Sequence, residues 1–120
     1  MRKIKSMLEG LRNLWKWRKV IYKDRSYDHW FIYEILKTKL QFMEEHIRTN
    51  GYHETADQDV ACIGECIDLL DKVQNETFID DYIKADVWTD EAMMEALKKH
   101  NDTRKLLFKT IEKNIERWWD

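Results

Sequence analysis

Apolar positions recur along this chain with a helical period almost from its first residue. In "RKIKSMLEGLRNLWKWRKVIYK", Ile4, Met7, Leu8, Leu11, Leu14 and Trp15 follow an i, i+3, i+4, i+7 spacing and share one face, with Lys5, Arg12, Lys16 and Lys19 off it. Gly10 weakens the middle of this helix by about 1 kcal/mol relative to alanine, and the helix should end near Lys23. A second helix is expected from Asp28, whose short carboxylate suits an N-cap. Its stripe is Ile32, Leu36, Leu40, Met43 and Ile47, widened by Phe31, Ile35 and Phe42. "RTNGYH" should stop it, Asn50-Gly51 offering the left-handed residue that a helix C-terminus favours. A third helix runs from about Thr55 to Val73, where Thr55 and Gln58 fit a capping box and Val60, Ile63, Ile67 and Leu70 mark the buried face. After a break at Asn75, Phe78 pairs with Tyr82 and Ile79 with Ile83, which predicts a short helix. Thr89 is the N-cap of a last helix reaching Trp119, with a kink expected at "HNDT" where His100 and Arg104 interrupt the stripe.

No useful length alternates with period two. The fold class is therefore all-α: a small helical bundle of four principal helices plus a short connecting helix. One domain spans residues 1–120, with a basic amphipathic N-terminal helix over 1–22 and a bundle body over 28–119. Composition agrees, since 120 residues include no proline and three glycines, with 37% charged and 43% hydrophobic positions. No apolar run is long enough to span a membrane, and no apolar leader opens the chain. A cytoplasmic protein is expected. Cys62 and Cys66 stand four apart on one helix face, a spacing that seldom meets disulfide geometry, so both read as reduced.

Charge changes this picture. Residues 1–25 carry nine Lys or Arg against two acids, +7, and residues 26–120 carry twelve against twenty-one, −9. Either the basic helix packs along the acidic body or it meets an anionic partner. The plain expectation is that its leucine stripe enters the bundle; a helix docked from outside, or exchanged between subunits, stays open. An acidic body is repelled by nucleic acid and by anionic membranes alike, which argues against both as partners. The end of the chain, "IERWWD", places two adjacent tryptophans that cannot face one core from one helix, so a homo-oligomer is expected to bury the second.

Catalytic patterns are missing. There is no phosphate-cradling glycine loop, no Ser–His–Asp set, no reactive-cysteine signature and neither CxxC nor HExxH. His46, His53 and Asp57 are the nearest thing to a metal set, and "EEHI" lacks the Glu-x-x-His spacing of a di-metal bundle. No enzyme, metal or cofactor is expected. The richest chemistry lies at "KDRSYDHW". Capping and packing account for Asp28, Phe31 and Ile32, leaving Arg25, Tyr27, His29 and Trp30, with Lys39, Arg48 and His53 farther on. Rings that stack on bases and cations that meet phosphates are what a nucleotide site uses. These seven are the candidate ligand-binding residues, the plain alternative being a stapled helix start with solvated ions.

"DRSYDHWFIYEILKTKLQFMEEHI" followed by "GYHETADQDVACIGECIDLLDKV" resembles a widespread group of short phage-encoded helical proteins. The matching positions lie within residues 23–73. They include Asp24, Arg25, Tyr27 and Asp28 at the turn, Leu36, Lys39, Leu40 and Met43 on the next helix, His53, and Ile63, Cys66, Ile67, Leu69 and Leu70. Where the group's pattern has a basic residue before the Cys-Ile pair, this chain has Glu65. The resemblance implies an accessory protein of host–virus conflict, in the cytoplasm of an infected bacterium. Its function would be to sequester a linear or cyclic nucleotide signal of anti-phage defence. The alternative it implies is inhibition of a host protein, with the basic first helix as the contact.

Overall fold

A computed structural model describes residues 2–51 and 55–118. Every regular element among them is helical: α1 (Arg2–Lys23), α2 (Trp30–Asn50), α3 (Ala56–Gln74), α4 (Thr77–Ala85), α5 (Asp90–Asn114) and a 3-10 turn (Ile115–Arg117). The all-α expectation holds. Local chemistry explains most boundaries. The Asp28 carboxylate accepts from the Trp30 backbone N–H at 3.0 Å, so α2 starts two residues later than expected while its cap is the one expected. Thr89 Oγ1 accepts from the Ala92 N–H at 3.1 Å and opens α5. Between α3 and α4, Glu76 takes a left-handed conformation (φ 50°), and Asp86 does the same after α4 (φ 56°).

The core lies between α2, α3 and α5. Leu40 and Ile47 of α2 meet Ile63, Cys66, Leu70 and Val73 of α3, with Leu107 of α5 and Trp118 closing the far side. α4 folds back chiefly on α5. Two polar groups are buried at the edges of α3. Asp59 is fully buried: its Oδ1 accepts from Arg117 Nη2 at 2.8 Å and its Oδ2 from Thr55 Oγ1 at 3.2 Å. Gln74 donates from Nε2 to Glu34 Oε2 at 2.6 Å and accepts from Lys37 Nζ at 2.7 Å. These contacts tie α3 to α2 at one end and to the C-terminal turn at the other.

Several expectations are corrected. Gly51 is extended (φ −72°, ψ 127°) rather than left-handed; a Cβ there would come within 2.5 Å of the Ile47 carbonyl oxygen, which explains the glycine. The Thr55 side chain makes no cap bond and turns instead to Asp59, so the capping box with Gln58 does not form. Ile32 and Ile35 face solvent, because α2 meets α3 along one side only. α5 runs unbroken past His100 and ends at Asn114, well short of Trp119, where the chain tightens into the turn that carries Arg117 to Asp59. Trp118 is 5% exposed in the core, and Trp119 lies outside the described residues.

The largest correction concerns α1. Its apolar stripe does not enter the body: Ile4, Met7, Leu8, Leu11, Leu14 and Trp15 remain 52–66% exposed. The residues of α1 that do lose water are Gly10, Trp17 and Val20. At 100° per residue they sit on the side of the helix opposite the stripe. The docking contact is the Trp17 ring, which meets Phe42 of α2 edge-on (5.2 Å between centroids, 89°). With one helix standing off, the radius of gyration is 17.9 Å, against about 14 Å for a compact chain of this length.

Candidate functional site

Of the six candidate residues that are described, Arg25, Tyr27 and His29 share one groove, and Trp30, Lys39 and Arg48 do not line it. Arg25 is engaged locally: its Nη1 donates to the carbonyls of Lys23 at 3.1 Å and Asp24 at 2.8 Å, closing the C-terminus of α1. Tyr27 stands in solvent. His29 lies beside Asp28 (Nδ1 to Oδ1 3.8 Å) and edge-on to Tyr33, while Trp30 packs edge-on against Phe31. The turn does form a shallow groove with Arg25, Tyr27 and His29, but Asp24 and Asp28 share its lining and Trp30 does not. Two carboxylates and an occupied guanidinium make a poor anion seat. Arg48 is paired with Glu44 at 2.7 Å and sits eighteen residues past Trp30, about 27 Å along the helix axis. His53 lies outside the described residues. At this turn Asp28 caps α2 and Arg25 closes the end of α1.

Lys39 belongs to a different place. Because α1 docks chiefly through Trp17, a cleft of about 390 Å³ opens between α1, α2 and the chain's end. Asn13, Lys16 and Trp17 come from α1, Lys39, Phe42, Met43, His46 and Ile47 from α2, and Trp118 from beyond the 3-10 turn. Each arrives for a local reason. Asn13, Lys16 and Trp17 lie one turn apart on the inner side of α1, and Lys39, Phe42 and His46 repeat at i, i+3, i+7 on α2. Trp118 is placed by the Arg117–Asp59 bond beside it. The Lys16 ammonium lies 5.5 Å from the centroid of the Phe42 ring. Among the described residues neither Lys16 nor Lys39 has an acidic partner, and the buried Trp118 Nε1–H has no hydrogen-bond acceptor. The cleft is thus lined by ring faces, two ammonium groups, an amide and an imidazole.

Burial pushes Cys66 up to about 12 and Cys62 above the usual thiol range, the reverse of what a nucleophile needs. Among the described residues no three His, Cys, Asp or Glu side chains converge on a point. No described helix is long and apolar enough to cross a membrane. The sequence reading missed this cleft because its rings come from segments about 25 and 75 residues apart; the only linear trace was Trp17 standing off the leucine stripe. Compared with known proteins, this chain matches no family model, no curated protein and no solved structure.

Proposed function

We propose that this protein works by binding, and that the cleft between α1 and α2 takes a small anionic ligand carrying an aromatic ring, a nucleotide. One observation carries the reading: the rings of Trp17, Phe42 and Trp118 and the ammonium-bearing Lys16 and Lys39 line a single cavity. Its volume falls in the ordinary range for small-ligand sites. Stacking one base on such a ring contributes about 1–3 kcal/mol, and each charge-assisted hydrogen bond about 1.5–3. After the cost of association this supports micromolar binding. The resemblance over residues 23–73 supplies the biological role: a phage accessory protein that sequesters a nucleotide signal of bacterial defence, in the cytoplasm of the infected host.

A second reading, inhibition of a host protein through the basic first helix, is favoured by the exposed stripe on α1. Deleting α1 does not separate the two, because α1 supplies a wall of the cleft. Point variants do. Titration calorimetry against linear and cyclic nucleotides, with inorganic phosphate as control, should detect micromolar binding. Lys39→Glu should weaken it tenfold or more, whereas Leu11→Ser with Trp15→Ser on the opposite face of α1 should leave it unchanged. Absence of any nucleotide binding tighter than millimolar, or binding indifferent to Lys39→Glu, refutes the nucleotide reading.

A further inference from the structure

We propose that the outward face of α1 docks in the acidic groove between α4 and α5 of a second copy of this chain. Six large apolar side chains on that face, from Ile4 to Trp15, are each more than half exposed. They are flanked by Lys5, Arg12 and Lys19. Six such side chains in one contiguous stripe are far more than the scattered apolar residues of an ordinary surface. At the edge of the stripe the Arg18 guanidinium lies over the Trp15 ring, 3.7 Å from its centroid, and donates to the Trp15 carbonyl at 2.6 Å.

The fold provides one surface that matches. Between α4 and the start of α5 runs a groove of about 230 Å³ whose floor includes Ala85, Ala92 and Ala96, residues small enough for a helix to approach closely. Asp81 and Glu95 line it, Glu95 paired with Lys99 at 3.3 Å, and the exposed Val87 lines it too, with Trp88 edge-on to its Tyr82. Residues 76–96 carry seven acids against the single Lys84. Apolar face meets apolar floor, and basic flank meets acidic rim.

Charge selects among the occupants. Pairing α1 with α1 from another copy would set +7 against +7, which opposes association at low salt. The chain's own groove is out of reach, since α1 is held on α2 through Trp17 with its apolar face turned away from the body. A second copy brings the complementary groove without disturbing the cleft, which uses the other side of α1. The inference is therefore independent of the nucleotide reading. Mutual exchange of α1 between two copies closes the contact into a dimer.

Light scattering on the full chain at high micromolar concentration should give twice the 14.8 kDa mass of one chain, shifting toward the monomer between about 50 mM and about 500 mM salt. Two charge reversals separate the surfaces. Arg12→Glu with Lys19→Glu, and Asp81→Lys with Glu95→Lys, should each raise the dissociation constant by about tenfold or more. An equimolar mixture of the two variants restores both contacts and should recover the dimer. Leu11→Ser with Trp15→Ser should give a monomer, its helix content checked by circular dichroism. A monomeric wild-type chain overturns the proposal, whether it stays free in solution or binds anionic vesicles through α1. So does an oligomer that ignores the Asp81 and Glu95 reversal, or a mixture that fails to recover the dimer.

Discussion

Arg117→Met probes the bond that fixes the end of the chain. The variant keeps the aliphatic stem and removes the cation that Asp59 Oδ1 meets at 2.8 Å. Asp59 is fully buried, whereas the Arg117 side chain is 50% exposed, so the pair sits between interior and solvent. Unit charges about 4 Å apart attract by about 4 kcal/mol at an effective dielectric of 20. Solvent around the guanidinium screens part of this, and the loss expected on removal is about 2–3 kcal/mol. Urea unfolding followed by circular dichroism measures it directly. With a slope of about 1–3 kcal/mol per molar urea, the midpoint should fall by about 1 M or more at unchanged slope. Combining Arg117→Met with Asp59→Asn removes the buried charge as well, so the double variant should be more stable than Arg117→Met alone. Hydrogen exchange should also quicken at residues 115–118, where the 3-10 turn loses its tether. A loss below about 0.5 kcal/mol, or a double variant no more stable than the single one, refutes the argument that this bond anchors Trp118 against the cleft.

Two further outcomes follow from buried groups. Gln74→Leu strands Glu34 and Lys37 without their shared amide, and should lower stability by about 1–3 kcal/mol in thermal or urea unfolding. For the thiols, burial raises both above the ordinary thiol range, Cys66 to about 12. Above about pH 9 the unfolded chain therefore releases thiol protons that the folded chain keeps, and stability falls as pH rises from about 9 toward 12. Cys66→Ala should flatten that part of the profile, and iodoacetamide at pH 8 should modify Cys62 of the native protein well before Cys66. Equal rates at the two sites, or an unchanged profile, would contradict the burial argument.

The sequence by itself determined what depends on neighbours within a turn or two. The spacing of Val60, Ile63, Ile67 and Leu70 defined α3, Thr89 opened α5, Asp28 capped α2, and the break at Asn75 separated α3 from α4. These are local steric and hydrogen-bond effects, so a one-dimensional pattern contains them. Tertiary structure decided which apolar surfaces find partners. Periodicity gave the greasy side of α1 correctly, yet the helix docks by its other side, because Trp17 has Phe42 to meet and the body offers the leucines no groove. Asp59 is one of many acids in the sequence; its bond to Arg117, fifty-eight residues away, exists only in the fold. The candidate turn at Arg25–Trp30 drew attention by composition, but Arg25 is taken by the carbonyls that end α1 and the remaining cations are spread along a rod. The cleft was illegible because its walls come from three distant segments, and only folding sets Lys16, Lys39 and Trp118 around one space.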